Sequence, residues 1–346
     1  MGGFNPSPIT MKSKIREPLP CETVERIVRD SFDDKTTIKG IKQLLDGYFS
    51  LVYDLTLENP NLETILKISP PSDVKVLRCE KNLLQNELIT NEFLRDNTSV
   101  PVPEIITSNF NRNILDRDYI FFQRFDGIPL NKAKRKLPKK EYENLKEMLG
   151  AYAAEIHSIK GNYFGTFNDP EEDRNETWKD VFLQYVRDII NDGIDLEAKL
   201  PYTPEKILNI FEKNARYLED VKEPRLIFMD LWEGNVFIAK KNGTYYIEGI
   251  IDGDRACWGD PYYDFVSSIA LFKDITKEKG FLKGYSNKRG EVNFTPYLQC
   301  RLHMYRAYYD LQVIVERRSR QYPFIFSFLL WCFVTWHLKR VLKHIE

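Results

Sequence analysis

The feature that most constrains the fold is a change of texture near residue 125. Before it, IKQLLDG, FSLVYDLTL and ETILKI alternate in polarity or are β-branched, and Gly47 and the Asn59-Pro60-Asn61 turn separate them, as expected of consecutive antiparallel strands. Residues 21–32 form a short amphipathic pattern ahead of these strands. A helix from Glu80 to Asp96 follows them, the Pro-x-Pro of VPVPEII breaks it, and EIITSNF and DYIFFQRF complete a sheet of about five strands. From Asp126-Gly127 onward, helical patterns dominate: Lys139 to Ile159, Asn175 to Asp192, Pro204 to Asp220, and most of Thr295 to the end. Short strands around Phe228, Val236 and Tyr245 to Ile251 interrupt them. The expectation is an α+β chain with a β-rich lobe over residues 1–125, a mostly helical lobe over 126–346, and the chemistry between them.

Composition removes several classes of function. Lys+Arg 50 against Asp+Glu 51 gives a formal net charge of -1, so no whole-molecule field favours nucleic acid or an anionic membrane. Five scattered cysteines support neither a disulfide framework nor a Cys-x-x-Cys metal site, and a reducing cytoplasm is the expected location. Pro6 stands where a myristoylation signal needs Ser or Thr, and no apolar leader is present. The most membrane-like segment, FIFSFLLWCFVTW, is only 13 residues long and reads as a buried core helix. The sequence leaves the oligomeric state open.

Candidate chemistry begins at LIFMDLWEGNVF, residues 226–237, where Asp230 and Asn235 either frame a surface turn or form a phosphoryl-transfer loop. In the second reading Asp230 accepts a proton from an attacking hydroxyl, and Asn235 offers a neutral oxygen to a metal. Seventeen residues after Asn235, IEGIIDGD ends an apolar strand on Asp252, and a hairpin through Asn242-Gly243 would bring Asn235 and Asp252 together. Asp260 and Asp264 of WGDPYYDF read as structural, bracing a turn and ordering the loop by hydrogen bonds.

Upstream, ETILKI places Lys67 inside an apolar strand, where it is either an edge lysine facing solvent or a paired ammonium. Glu87, between Leu84 and Leu88 on the following helix, is the partner that would satisfy it. DGYFSLVYDL joins two strands through Gly47 and Ser50, a turn whose amides could cover phosphates.

Taken in order, these segments resemble the aminoglycoside phosphotransferase family of small-molecule kinases, with its choline-kinase-like and fructosamine-kinase-like relatives. The likeness runs from Asp46 to Ser268 through FSLVY, ILKI, NELITNEFL, SVPVPEI, FFQRFDGIPL, LGAYAAEIHS, MDLWEGNVF, IIDGD and GDPYYDF. It implies a protein-kinase-like two-lobe fold, the first lobe holding ATP or GTP and the second carrying catalysis and substrate. It further implies Lys67 on the α/β-phosphates with Glu87 positioning it, Asp230 as catalytic base, and Asn235 and Asp252 as Mg²⁺ ligands. Ser50 would lie over the phosphates, and Gln123 to Phe125 would be the hinge whose backbone meets the purine. One departure stands out, since Phe228 occupies the place where the family has histidine two residues before the base. His157 of AAEIHS matches a family helix end and reads as structural.

The acceptor implied is a small hydroxyl-bearing molecule, with aminoglycosides leading and amino sugars, sugars or choline-like alcohols as alternatives. Residues 169–197 hold ten acidic against three basic side chains, either a wall favouring a cationic acceptor or a solvated helix face. Glu233 and Asp254 flank the loop as contacts for acceptor amines, and Trp232 and Trp258 either stack on a ring or are structural. A pseudokinase-like binding module is the rival from another class, motivated by Phe228 and the glycine-poor loop. Only eleven residues separate Asp252 from Asp264, too few for the activation loop of a protein kinase.

Overall fold

A computed structural model describes residues 16–346 except 48, 169, 170, 172, 173, 267–273 and 321. Pro6, the acidic residues Asp169, Glu172 and Asp173, and the end of the matched stretch at Ser268 lie outside the described residues. The chain forms two compact units, one comprising Met1–Leu77, Glu104–Arg124 and Glu316–Trp331, the other Arg78–Pro103, Phe125–Val315 and Cys332–Glu346. The step expected at residue 125 lies at one of five points where the chain passes from unit to unit.

In the first unit, helix α1 (Cys21–Ser31) buries Val24, Ile27 and Val28, the i, i+3, i+4 stripe of an amphipathic helix. Strands β1 (Thr37–Leu44), β2 (Leu51–Glu58) and β3 (Leu62–Ile68) form consecutive antiparallel pairs. Helix α2 (Leu83–Asn97) then belongs to the second unit, and the chain returns for β4 (Ile105–Asn109) and β5 (Tyr119–Gln123). The sheet is five-stranded in the order β1-β2-β3-β5-β4. Leu51, Tyr53, Leu55 and Leu57 alternate inward on β2 and pack with α1, Leu66, Ile68, Tyr119 and Phe121 in one apolar cluster.

The second unit continues with β6 (Ile128–Pro129), α3 (Leu130–Ala133), α4 (Lys139–Ile156), α5 (Trp178–Asp195) and α6 (Pro204–Lys213). Next come β7 (Arg225–Ile227), β8 (Val236–Lys241), β9 (Thr244–Ile250) and β10 (Cys257–Gly259), with β7 paired to β10 and β6-β8-β9 forming a small sheet. Helices α7 (Lys279–Arg289), α8 (Pro296–Ser319) and α9 (Phe324–Leu342) complete the chain. Leu94, Leu145, Leu149, Phe228, Leu231, Val236, Ile250, Phe265 and Phe281 share one core.

Helix α7 lies in residues 269–346, which the sequence marks as helical in general character without a boundary for this element. Gly280 and Gly284 each cost about 1 kcal/mol of helix propensity relative to alanine, and only tertiary contact repays that. The contact is a close crossing with α4: a Cβ on Gly284 would stand 1.8 Å from the Glu147 carbonyl oxygen, and one on Gly150 would stand 2.0 Å from that of Phe281. Gly284→Leu should therefore lower stability by about 3 kcal/mol, read as a fall in thermal midpoint. Gly47→Ala, with nothing within 4 Å of the added carbon, should leave that midpoint nearly unchanged. Equal midpoints for the two variants would refute the close-crossing account.

The reading of FIFSFLLWCFVTW as a buried core helix is corrected. It opens a 19-residue helix, long and apolar enough by length and composition to cross a membrane, of which only 33% of the most apolar window is buried. Hydropathy counts apolar side chains without saying which face they occupy. Here Phe324 is 84% exposed, Ile325 73% and Trp336 56%.

Candidate active site

The second unit builds the Asp230 loop from two directions. Strand β7 pairs with β10, matching Ile227 with Cys257, and the chain leaves β7 through buried Phe228 and partly buried Met229. Met229 has φ +63°, a left-handed conformation that costs a non-glycine residue free energy unless its surroundings enforce it. Asp264 enforces it. Its carboxylate accepts from the backbone N–H of Phe228 at 2.8 Å and of Met229 at 2.7 Å, and pairs with His157 Nε2 at 3.0 Å. His157 is fully buried, its other ring nitrogen 3.0 Å from the Tyr285 hydroxyl, in the structural role expected of it.

Beyond Met229 the loop closes on itself. Trp232 N–H donates to the Asp230 carbonyl at 3.0 Å, and Asn235 N–H donates to the Trp232 carbonyl at 2.9 Å. The Asn235 amide Nδ2 donates both to the Asp230 carbonyl and to its carboxylate Oδ2, each at 2.9 Å. The Trp232 ring folds over Gly234, where a Cβ would lie 2.2 Å from it, so this tryptophan packs within the loop. Trp258 is 5% exposed between Phe93 and Phe167 and is a core residue.

Strands β8 and β9 close through Asn242 (φ +50°) and Gly243 (φ +84°), the two positive φ values of a type I′ turn. The hairpin sets Val236 opposite Ile250, and Ile251 N–H donates to the Asn235 carbonyl at 3.0 Å. Asn235 and the residue before Asp252 are thus joined directly, as the NG spacing requires. Asp252 itself has φ +68°. After it, a Cβ on Gly253 would lie 2.8 Å from Thr90 Cγ2 and 3.0 Å from the Phe228 ring, so Phe228 packs against the segment that follows Asp252.

Helix α2 supplies the third side. Asn86 Nδ2 donates to the Asp254 carbonyl at 2.7 Å and to that of Ala256 at 2.8 Å, tying the helix to the segment after Asp252. Sequence reasoning passed over Asn86; a buried amide one position before Glu87 was its only local signal. Carboxylate oxygens of Glu87, Asp252 and Asp254 lie within 4.8 Å of one another, with Glu87 buried. Burial holds the Asp230 carboxyl well above the usual carboxylate range, and Asp252 adds to the shift while Arg255 partly opposes it.

These donors fit a hard divalent cation. Three convergent carboxylates and an amide oxygen, left available because Asn235 spends its nitrogen on Asp230, are the ligand types that Mg²⁺ takes.

The remaining expected site residues fall as follows. Glu233 is turned into the protein: Lys134 Nζ lies 2.6 Å from one oxygen, and the Tyr142 hydroxyl and Lys146 meet the other. Burial would raise its carboxyl, but those partners outweigh burial and hold it below the usual range. Part of the acidic wall on 169–197 is also internal, for Asp192 is buried against Arg78, which lies 3.1 Å from Asp195 as well. In the first unit, Lys67 is buried on β3, a central rather than edge strand, opposite Val52 on β2 and Ile120 on β5. Ser50 is buried at the start of β2, and the Arg320 guanidinium lies 4.6 Å from the ring centre of its neighbour Phe49. Gln123 closes β5 with its N–H donating to the Glu104 carbonyl at 2.8 Å. Phe125, in the second unit, packs against Gly249, whose added Cβ would lie 2.1 Å from its ring.

A family profile described as the phosphotransferase enzyme family matches residues 40–296. Among solved structures, a thermostable mutant of the aminoglycoside phosphotransferase APH(4)-Ia, in complex with AMP-PNP and hygromycin B, aligns at 15% identity. That alignment has a TM-score of 0.61 and covers 93% of this chain and 98% of that one. The streptomycin-ATP complex of APH(2")-IIa aligns at 18% identity and TM-score 0.60, covering 94% and 99%. A microcompartment-associated aminopropanol kinase aligns at 14% identity and TM-score 0.56, again covering 94% and 99%. No curated protein matches the chain.

Proposed function

Because the chain belongs to the phosphotransferase enzyme family, whose profile spans most of it, we propose that it moves the γ-phosphate of ATP or GTP to a hydroxyl of a small molecule. The observation that carries this reading is the loop on which Asp230 and Asn235 are bonded together beside the Glu87, Asp252 and Asp254 carboxylates. In it, Asp230 receives the acceptor hydroxyl's proton, its raised affinity for protons suiting a base. Asn235 and Asp252 hold Mg²⁺, with Glu87 and Asp254 in the same carboxylate group. When bound, Mg²⁺ neutralises the developing charge on the phosphate oxygens. Lys67 engages the nucleotide phosphates, Ser50 covers them, and the backbone at Gln123 to Phe125 meets the purine. The kinase-like fold supports these assignments, each by its position in the motif order.

The acceptor we favour carries amino groups as well as a hydroxyl, aminoglycosides or amino-alcohols being the leading class. Support comes from the hygromycin B, streptomycin and aminopropanol named with the structural neighbours, while the Asp254 carboxylate belongs to the cation group. Glu233 supports it less, its carboxylate being occupied by Lys134, Tyr142 and Lys146.

Purified protein should form ADP or GDP with Mg²⁺ in a panel of aminoglycosides, amino sugars and choline-like alcohols, and chelation of the metal should stop it. Absence of any Mg²⁺-dependent rise in melting temperature with either nucleotide would instead support a binding module without phosphotransfer.

A further inference from the structure

Helix α9 presents a face that the proposed reaction does not use. Ile325, Phe328, Leu329, Cys332, Phe333 and Trp336 are all exposed and recur at intervals of three and four, so they form one stripe. Exposed Lys339, Arg340 and Lys343 continue the same stripe at its C-terminal end, the Arg340 guanidinium 5.8 Å from the Trp336 ring centre. The opposite side carries Val334, Leu338 and Leu342, all fully buried in the protein. With that side buried against the rest of the protein, the exposed side is what needs a partner.

Charge decides which partner. Residues 317–345 contain Arg317, Arg318, Arg320, Lys339, Arg340 and Lys343 and no aspartate or glutamate. A second copy pairing stripe to stripe would set these cations against cations. In parallel register Lys339, Arg340 and Lys343 would meet their own equivalents; in antiparallel register they would lie along the apolar N-terminal part of the partner's stripe, which carries no acidic side chain. Neither arrangement draws a carboxylate from this stretch. An anionic lipid surface answers both needs, taking the Phe, Leu, Ile and Trp side chains among its acyl chains and the cations at its headgroups.

We propose that the exposed face of α9 docks in the plane of an anionic phospholipid bilayer. This is independent of the phosphotransferase reading, and it replaces the expectation of no membrane partner, which rested on net charge and on a buried helix. The local charge of the docking face is opposite in sign to the chain's small net charge.

The test is sedimentation of the full-length protein with vesicles of phosphatidylcholine alone or mixed equally with phosphatidylglycerol. The protein should pellet with the mixed vesicles at low salt and be released as salt rises. The combined change Lys339→Gln, Arg340→Gln and Lys343→Gln should weaken that partitioning on the order of 100-fold. Phe328→Ser with Trp336→Ser should weaken it too, with a cooperative melting transition showing that the variant is still folded. Failure of the unaltered protein to pellet with mixed vesicles overturns the proposal. So does a dimer in solution that Phe328→Ser with Trp336→Ser separates, which would assign the face to a second copy.

Discussion

Asp230→Ala should reduce phosphoryl transfer by about 10²–10⁴-fold while Mg²⁺-nucleotide binding persists. The carboxylate is the group on its loop placed to take a proton, and Asn235 retains its second bond, to the Asp230 backbone carbonyl, when the side chain is gone. Steady-state turnover paired with nucleotide-induced thermal shift separates loss of chemistry from loss of binding. Unchanged turnover in the variant would remove Asp230 from the mechanism. Phe228→His should cost far less activity, since the ring acts by packing against Gly253 and no polar contact of its side chain is given up.

The largest stability effect expected is that of Asp264→Ala. The residue is fully buried, and its carboxylate satisfies the N–H groups of Phe228 and Met229 and a nitrogen of His157. Truncation orphans two backbone donors and a buried imidazole, at about 1–3 kcal/mol for each unsatisfied group, or about 4 kcal/mol together. It also releases Met229, the residue directly before Asp230, from its left-handed conformation. Urea denaturation should show the lost stability, and turnover measured where the variant remains folded should fall as well. Full turnover from folded Asp264→Ala protein would mean that the loop holds its shape without this anchor.

Much of this site was legible in the chain because its parts are local. The Asn242-Gly243 hairpin needs positive φ at two adjacent residues, and that requirement alone joins Asn235 to the neighbour of Asp252. Alternation on β2 and the stripe on α1 likewise follow from side-chain periodicity. Glu233 was not legible, because the groups that claim it sit far upstream, Lys134 just after α3 and Tyr142 and Lys146 on α4. Residues 269–346 read as helical, but the bounds of α7 were not legible, because its glycines serve a crossing with α4 that only the folded chain makes.

The order of chemical groups, an apolar strand with a lysine, a helix with a glutamate, an aspartate loop and an aspartate after a hairpin, was set by sequence alone. That order suffices because each group is placed by its own strand, turn or helix. Tertiary structure decided what surrounds them: that Asp264 holds the Asp230 loop, that Phe228 packs on Gly253, that Glu233 faces inward, and that α9 keeps an apolar face in solvent. Each of these depends on which distant residue fills the neighbouring space, and no local period carries that information.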